Sequence, residues 1–367
     1  MYFSSPGNRN KPKQKTMNQL SLYGWDEILS RHKQTSPFKD LPHGRVSVTH
    51  KTCYEVTAEN GIYFCELTGN ILYGKTPEEY PCTGDWVIFQ PTGQDRGVIT
   101  DILPRSHTLY RRKSGTVSDK QILATHVDKA FIVQSRDNPL NVRRIERFMV
   151  QMLEEEIQPV LVLTKADLKN GEEENADLLK YLSDKMPVFI TSILRPETID
   201  KLRESVRQGE TIVLVGLSGA GKSSLINALC GEELLTTSSL SHSTGKGKHT
   251  STRREMVLLG GSGVLIDTPG VREFGLTSGS GEVLSSVLDL SAWEKSCRFA
   301  DCTHTGEPGC AVSEAVTNGT LERSVYESYL KLRKEVRHFS ASEHEKRMRD
   351  RSFAKMVKGA KNYRGKW

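Results

Sequence analysis

The stretch GLSGAGKSS, Gly216 to Ser224, has the Gly-x-x-x-x-Gly-Lys-Ser spacing of a loop that wraps phosphates. An apolar run, TIVLV, precedes it, and a stretch with helical character, SLINALC, follows it. Glycines let the backbone bend. The N–H groups of Gly216, Leu217, Ser218, Gly219, Ala220 and Gly221 would then point inward at a polyphosphate, reinforced by the positive end of the following helix. In that frame Lys222 neutralises the β- and γ-phosphates, Ser223 offers its hydroxyl to Mg2+, and Ser224 faces the α-phosphate. Downstream, GVLIDTPG ends an apolar run in Asp267-x-x-Gly270. A carboxylate at Asp267 suits Mg2+ held through water, and the Gly270 amide suits the γ-phosphate. Between the two, in STGKGKHTSTRRE, Thr250 is expected to complete the Mg2+ shell. Ser223, Thr250 and Asp267 thus form the expected magnesium set.

A second segment suits the other end of a nucleotide. VLTKADL places Thr164, Lys165, Ala166 and Asp167 directly after an apolar run. A carboxylate at Asp167 accepts the two N–H donors on the edge of guanine, an arrangement adenine does not offer. Lys165 would lay its stem over the ring, and Thr164 can hydrogen-bond where Asn is commoner. VFITSI ends the next apolar run in Ser192, a place suited to a backbone contact with the base oxygen. The order is unusual, because the base reader precedes the phosphate loop by about fifty residues. A sheet requires no particular starting strand, so both motifs can serve one nucleotide if the set is circularly rotated. A P-loop ATPase carrying an accidental Thr-Lys-x-Asp is the competing reading.

Hydrolysis needs a water held in line with the γ-phosphate. The residue after Asp-x-x-Gly is Val271, whose apolar side chain cannot orient one, so slow intrinsic turnover is expected. His249, beside Thr250, is the candidate replacement, since imidazole accepts a hydrogen bond near neutral pH. His249, Thr250 and Lys222 are the expected catalytic residues, with His242 a weaker rival to His249. Further on, CRFADCTHTGEPGC supplies Cys297, Cys302, His304 and Cys310. Three thiolates and one imidazole make a closed tetrahedral set for one Zn2+. No position is left for substrate, so the expected role is structural.

These residues need elements to position them. From Gly44 to about Pro104, the runs GRVSVT, CYEVTA, GIYFCELTG, GDWVIFQ and GVITDIL are short, rich in β-branched and aromatic residues, and split by turn formers. They imply a meander of five strands, consistent with a small barrel of the OB type. RRKSGTVSDK, from Arg111, reads as a basic loop or linker. From about Gln121 the rhythm becomes strand–helix, with KAFIVQS, PVLVLTKAD, MPVFITS, TIVLVG, EMVLLGG and GVLIDTPG alternating with amphipathic stretches. That pattern implies a parallel sheet covered on both faces, with ligands at the carboxyl ends of its strands. After about Ser280 the chain turns helical and strongly charged.

The chain has 367 residues and a net charge of +6, unevenly placed. Between Lys331 and Trp367 there are thirteen Lys/Arg against four Asp/Glu, and Arg9, Lys11, Lys13 and Lys15 face no acid in the first fifteen residues. Basic ends on a near-neutral body imply a polyanionic partner. No apolar run approaches the ~20 residues of a membrane span, and the polar N-terminus does not read as a signal peptide. A cytoplasmic protein with no membrane contact is expected.

The rotated motifs, together with GKHT, DTPGVREFGL and CRFADCTHTGEPGCAV, resemble the ribosome small-subunit-dependent GTPase A (RsgA) family over roughly Arg45 to Tyr329. The resemblance implies a multidomain chain. It would have a basic and polar extension (1–40), an N-terminal OB-fold β-barrel (41–108), a central α/β circularly permuted P-loop GTPase domain (120–279) and a C-terminal helical zinc-binding domain with a basic tail (280–367). It implies a chain that binds GTP and GDP, Mg2+ with the nucleotide, and the 30S ribosomal subunit with its 16S rRNA, acting late in assembly; a monomer is expected. Hydrolysis would be slow alone and faster on the 30S particle. The resemblance also implies catalysis by His249, phosphate contacts from Gly216 to Ser224, base contacts from Thr164 to Asp167, and zinc ligation by Cys297, Cys302, His304 and Cys310. A non-ribosomal RNA-binding GTP switch is the remaining alternative. Two departures stand out: Ile193 follows Ser192 where Ala is usual, and His126 stands where Asn is frequent.

Overall fold

The computed structural model describes residues 19–76, 79–112, 120–168, 176–231, 254–260, 262–268 and 280–340. A 3-10 turn, Gln19–Tyr23, leads into helix α1, Glu27–Thr35. Asp26 caps α1 by accepting a 2.8 Å bond from the Leu29 amide.

Five strands follow: β1 (His43–Thr49), β2 (Tyr54–Ala58), β3 (Gly61–Leu67), β4 (Trp86–Pro91) and β5 (Arg96–Ile102), with a short helix α2 (Gly69–Gly74) after β3. Their order is β1-β2-β3-β5-β4, and β4 pairs back onto β1, which closes an OB-like barrel. The period-two pattern read from the sequence is the reason it closes. Tyr54, Val56 and Ala58 on β2 point inward to meet Val46, Cys65, Val87, Phe89 and Ile99, while Glu55 and Thr57 alternate outward.

The basic stretch expected as a loop is partly strand. β6 (Leu109–Arg112) and β7 (Lys120–Ala124) pair antiparallel, Arg111 lying opposite Gln121. The tie is local: Arg111 Nε donates to Gln121 Oε1 at 2.8 Å. The tip of that stretch, 113–119, lies outside the described residues.

The remaining strands are β8 (Lys129–Ser135), β9 (Gln158–Thr164), β10 (Val188–Ile190), β11 (Thr211–Val215), β12 (Glu255–Leu258) and β13 (Val264–Asp267). They run in the order β10-β9-β8-β11-β13-β12. All neighbours are parallel except β12 and β13. EMVLL therefore departs from the expected parallel sheet. The link from β12 to β13 is too short for a crossover, so the two strands form a hairpin. The continuous apolar runs are explained by burial on both faces. On one face Phe131, Val133, Val160, Val162, Ile212 and Leu214 meet α5 (Pro196–Glu204) and α6 (Lys222–Cys230). On the other, Ala130, Ile132, Leu161, Leu163, Val213 and Val215 meet α3 (Val142–Glu154) and α4 (Ala176–Ser183).

Barrel and sheet are continuous, since β1 pairs with β12 at Val48 and Glu255. A buried guanidinium reinforces the junction. Arg45 on β1 is 1% exposed and donates to the carbonyls of Gly84, Tyr23, Thr125 and His126. Burial pushes its pKa down to about 10, with Asp128 and Asp85 opposing the shift. His126 sits at φ 54. That left-handed conformation is one that Asn, Asp and His tolerate better than most residues, which accounts for His at this turn.

Four helices complete the described chain: α7 (Ser280–Val287), α8 (Ser291–Lys295), α9 (Ala311–Thr317) and α10 (Arg323–Ser340). Among the described residues, their apolar side chains share a core with α3. Leu284, Leu288, Val312, Tyr329 and Leu332 join the same cluster as Ile145, Phe148 and Met149 of α3. Arg147 on α3 pairs with Glu335 on α10 at 2.8 Å. Among the described residues no helix is long and apolar enough to cross a membrane.

Candidate nucleotide site and cysteine–histidine cluster

The sheet order brings the two nucleotide motifs to one edge. β9 ends at Thr164 and β11 ends at Val215, with β8 alone between them. Because all three strands are parallel, both motifs leave from their carboxyl ends.

The phosphate loop is held tightly against the sheet. Gly216 has φ 145, and a Cβ there would lie 2.2 Å from the Val133 carbonyl oxygen, so no side chain fits. Gly221 has φ 86 and caps α6, and its missing Cβ faces the Thr164 hydroxyl at 3.3 Å. Thr164 Oγ1 donates to the Ala220 carbonyl at 2.7 Å, tying the end of β9 to the loop from Gly216 to Gly221. Lys222 Nζ donates to the carbonyls of Gly216 and Leu217 at 2.9 and 2.7 Å, folded over the loop it would serve. Ser223 and Ser224 open α6, Ser223 exposed and Ser224 half-buried. Leu217, Ser218 and Gly219 form the exposed outer turn of the loop, and Ala220 is buried beneath it. Asp267 ends β13, one strand from the phosphate loop, which places a half-buried carboxylate on the same edge as Ser223. Gly270, His249 and Thr250 lie outside the described residues, as do Val271 and His242.

At the base end, Asp167 accepts a 2.5 Å bond from the Ser192 hydroxyl, which holds its carboxyl below the usual range. An ionised acceptor is the state that two guanine N–H donors require. Ser192 is 1% exposed, and its amide already donates to Thr198 Oγ1 at 3.0 Å. Ala166 is held by the hydrogen bond its backbone N–H donates to the Thr191 carbonyl at 3.1 Å. Lys165 leaves the strand at φ 58 and its ammonium meets Asp137 at 2.5 Å. Asp137 lies just past β8. No motif marks it, and only strand adjacency brings it to Lys165.

The ligand atoms of Cys297, Cys302, His304 and Cys310 all lie within 4.8 Å of one another, with three of the four residues buried. His304 Nδ1 is 3.5 Å from Cys297 Sγ and 3.4 Å from Cys310 Sγ. A tetrahedral Zn2+ with bonds of about 2.3 Å to sulfur and about 2.0 Å to nitrogen requires N···S separations of roughly 3.5 Å, so the donor set fits that ion. The other ring nitrogen, Nε2, faces Glu294 at 3.3 Å, which leaves Nδ1 as the ligand atom. Tyr329 of α10 donates to the same Glu294 at 2.6 Å, and Tyr326 donates to the His304 carbonyl at 2.5 Å. Thr303 and nearby amides hold the Glu307 carboxyl down at about 2, stapling the ligand loop. Glu294 and the α10 tyrosines carry no sequence signal, since they lie outside the cysteine–histidine run.

Known proteins resemble this arrangement. The family model described as RsgA GTPase matches residues 102–277. A curated relative from Bacteroides thetaiotaomicron, small ribosomal subunit biogenesis GTPase RsgA 1, is 62% identical across 94% of this chain and 97% of its own length. The chain belongs to the RsgA GTPase family. The reaction of that family is hydrolysis of GTP. Among solved structures, YjeQ from Thermotoga maritima superposes with a TM-score of 0.59 at 27% identity, covering 80% of this chain and 98% of its own. YloQ, described as a circularly permuted GTPase, superposes with a TM-score of 0.58 over 82% of this chain and 97% of its own. At 22% identity YloQ shares the fold alone, and that fold has the rotated motif order.

Proposed function

We propose that this chain is a cytoplasmic, monomeric GTPase that binds the 30S ribosomal subunit through its 16S rRNA and assists late assembly of that particle. The observation that supports the reading is the bond from Thr164 to the Ala220 carbonyl, which ties the segment that bears Asp167 to the loop from Gly216 to Gly221. The relatives are named for biogenesis of the small ribosomal subunit, and that supplies the partner.

The division of labour follows the chain. Residues 41–108 would form the RNA-binding barrel, 120–279 the GTPase domain, and 280–367 a zinc-stabilised helical domain ending in a basic tail, after an extension over 1–40. Asp167 reads the guanine edge, Lys165 covers the ring, and Thr164 couples base end to phosphate end. The amides of Gly216 to Gly221 cradle the phosphates, with Lys222 swinging from its loop carbonyls to the β- and γ-oxygens. Ser223, Thr250 and Asp267 would hold Mg2+, which supplies charge neutralisation between the phosphates. Gly270 offers its amide to the γ-phosphate. His249 aligns the attacking water, because Val271 cannot. Cys297, Cys302, His304 and Cys310 would hold a structural Zn2+ that fixes α10 through Glu294, with no part in hydrolysis.

Co-sedimentation with purified 30S subunits at moderate salt tests the partner. Binding that strengthens with a non-hydrolysable GTP analogue over GDP, and weakens steeply as salt rises, supports the reading. Equal binding to 30S and 50S subunits would remove the proposed partner.

A further inference from the structure

The Lys165–Asp137 pair has a geometry that nucleotide binding can use. β8 lies between the strand that carries the base reader and the strand that carries the phosphate loop. Lys165 leaves the end of β9 and reaches over the end of β8, where Asp137 takes its ammonium. The stem thus runs from the end of β9 to the end of β8, the strand beside the one that carries the phosphate loop.

The carboxylate is itself held. Two residues upstream, β8 ends in parallel register with Thr164, at Ser135. The Arg136 amide then donates to the Thr164 carbonyl at 3.0 Å, so the segment bearing Asp137 is pinned to the residue before Lys165. Gln134 Nε2 donates to the Pro139 carbonyl at 3.2 Å across the turn, and Asn138 Nδ2 donates to Asp137 Oδ1 at 2.8 Å. Both partners of the pair are only 26% exposed. Burial alone would raise the Asp137 carboxyl, yet the bonds from Lys165 and Ser135 leave it below its usual range.

A solvent-exposed ion pair adds little, because two long side chains must be ordered for a screened contact. This one differs in consequence. A free lysine must lose its rotamer freedom when a ring arrives, whereas one already tied at its tip has lost it beforehand.

We propose that Asp137 is a positioning residue for the nucleotide: it holds Lys165 extended before binding, so that the lysine stem is a preformed wall of the guanine slot. The inference rests on the guanine-nucleotide reading of the site given above. Asp137 touches no nucleotide and acts only through Lys165.

The test uses the full chain and a fluorescent GDP analogue, with Kd and dissociation rate measured for Asp137→Asn, Lys165→Met and the double variant. Asp137→Asn is expected to weaken binding on the order of tenfold, mainly through faster dissociation, with an unchanged melting temperature. In the Lys165→Met background the same substitution is expected to change Kd less than about twofold, because its only route of action is gone. Guanine-over-adenine preference stays as in the wild type, since Asp167 sets it. The wild type separates the two readings. If it does not prefer guanine nucleotides, the site assignment itself falls. If it does, and Asp137→Asn binds as tightly or its loss multiplies fully with that of Lys165→Met, Asp137 has no positioning role.

Discussion

Thr164 Oγ1 and the Ala220 carbonyl oxygen are 2.7 Å apart across 56 residues of chain. Their hydrogen bond joins the end of β9 to the loop after β11 and brings together two motifs written in rotated order. Thr164 is 6% exposed, so the bond is shielded from water. Thr164→Val keeps the shape and removes the donor, leaving a buried carbonyl short of a partner at a cost of about 1–3 kcal/mol. The expected outcome in urea unfolding is a loss of that size, together with a smaller stabilisation by saturating GDP than in the wild type. Thr164→Asn, which restores a donor, is expected to recover most of the GDP effect.

The Ser192–Asp167 bond predicts a pH signature. The folded-state carboxyl of Asp167 is depressed by the Ser192 hydroxyl. Its ionised form therefore persists as pH falls below the ordinary aspartate range, and is lost only when pH drops through the depressed value. Ser192→Ala removes the donor and moves that loss to higher pH. GDP affinity followed downward from neutral pH is expected to fail earlier in Ser192→Ala than in the wild type. Superimposable pH profiles would show that the serine does not tune the aspartate.

The cysteine–histidine cluster predicts one metal ion and a specific orienting residue. Glu294 faces Nε2 of His304 and accepts from Tyr329 of α10. Substitution of such a partner typically lowers metal affinity by about 10–100-fold. Glu294→Gln, assayed by zinc release to a colorimetric chelator, is expected to fall in that range with four ligands intact. Removing the metal from the wild type is expected to speed hydrogen exchange in α10, whose Arg333 also donates to the Cys302 carbonyl at 3.0 Å.

Arg45 predicts a stability effect with no motif behind it. Its guanidinium serves four backbone carbonyls at the junction of the 3-10 turn, barrel and sheet. Arg45→Met retains volume but strands those acceptors in a buried site. A loss of about 3 kcal/mol or more is expected in chemical denaturation. A change within about 0.5 kcal/mol, the range of an ordinary surface substitution, would show that the junction does not depend on it.

Much of this molecule was legible in the sequence because its information is local. Gly216 to Ser224 and Thr164 to Asp167 each end an apolar run, and a parallel sheet sends such ends to one edge whatever their order. The barrel strands announced themselves by alternation and by turn residues, and the cysteine–histidine spacing by its density. What stayed hidden depends on which strands lie side by side. β12 turned antiparallel because its link to β13 is short, and Arg111 and Arg112 became strand because a partner lies opposite them. The C-terminal helices gave no sign that their apolar residues would share the core of α3. Asp137 and Arg45 meet partners far away in the chain, and Glu294 stands outside the cysteine–histidine run and meets Tyr329 of α10, so no spacing rule reaches them.

The most direct measurement is GTP hydrolysis by the full chain, alone and with isolated 30S subunits, for the wild type, Lys222→Ala and His249→Ala. Slow turnover alone, strong stimulation by 30S, abolition in Lys222→Ala and a sharp reduction in His249→Ala are the expected results. Tight GTP binding with no stimulation by 30S would leave the nucleotide site standing and contradict its proposed use on the small ribosomal subunit.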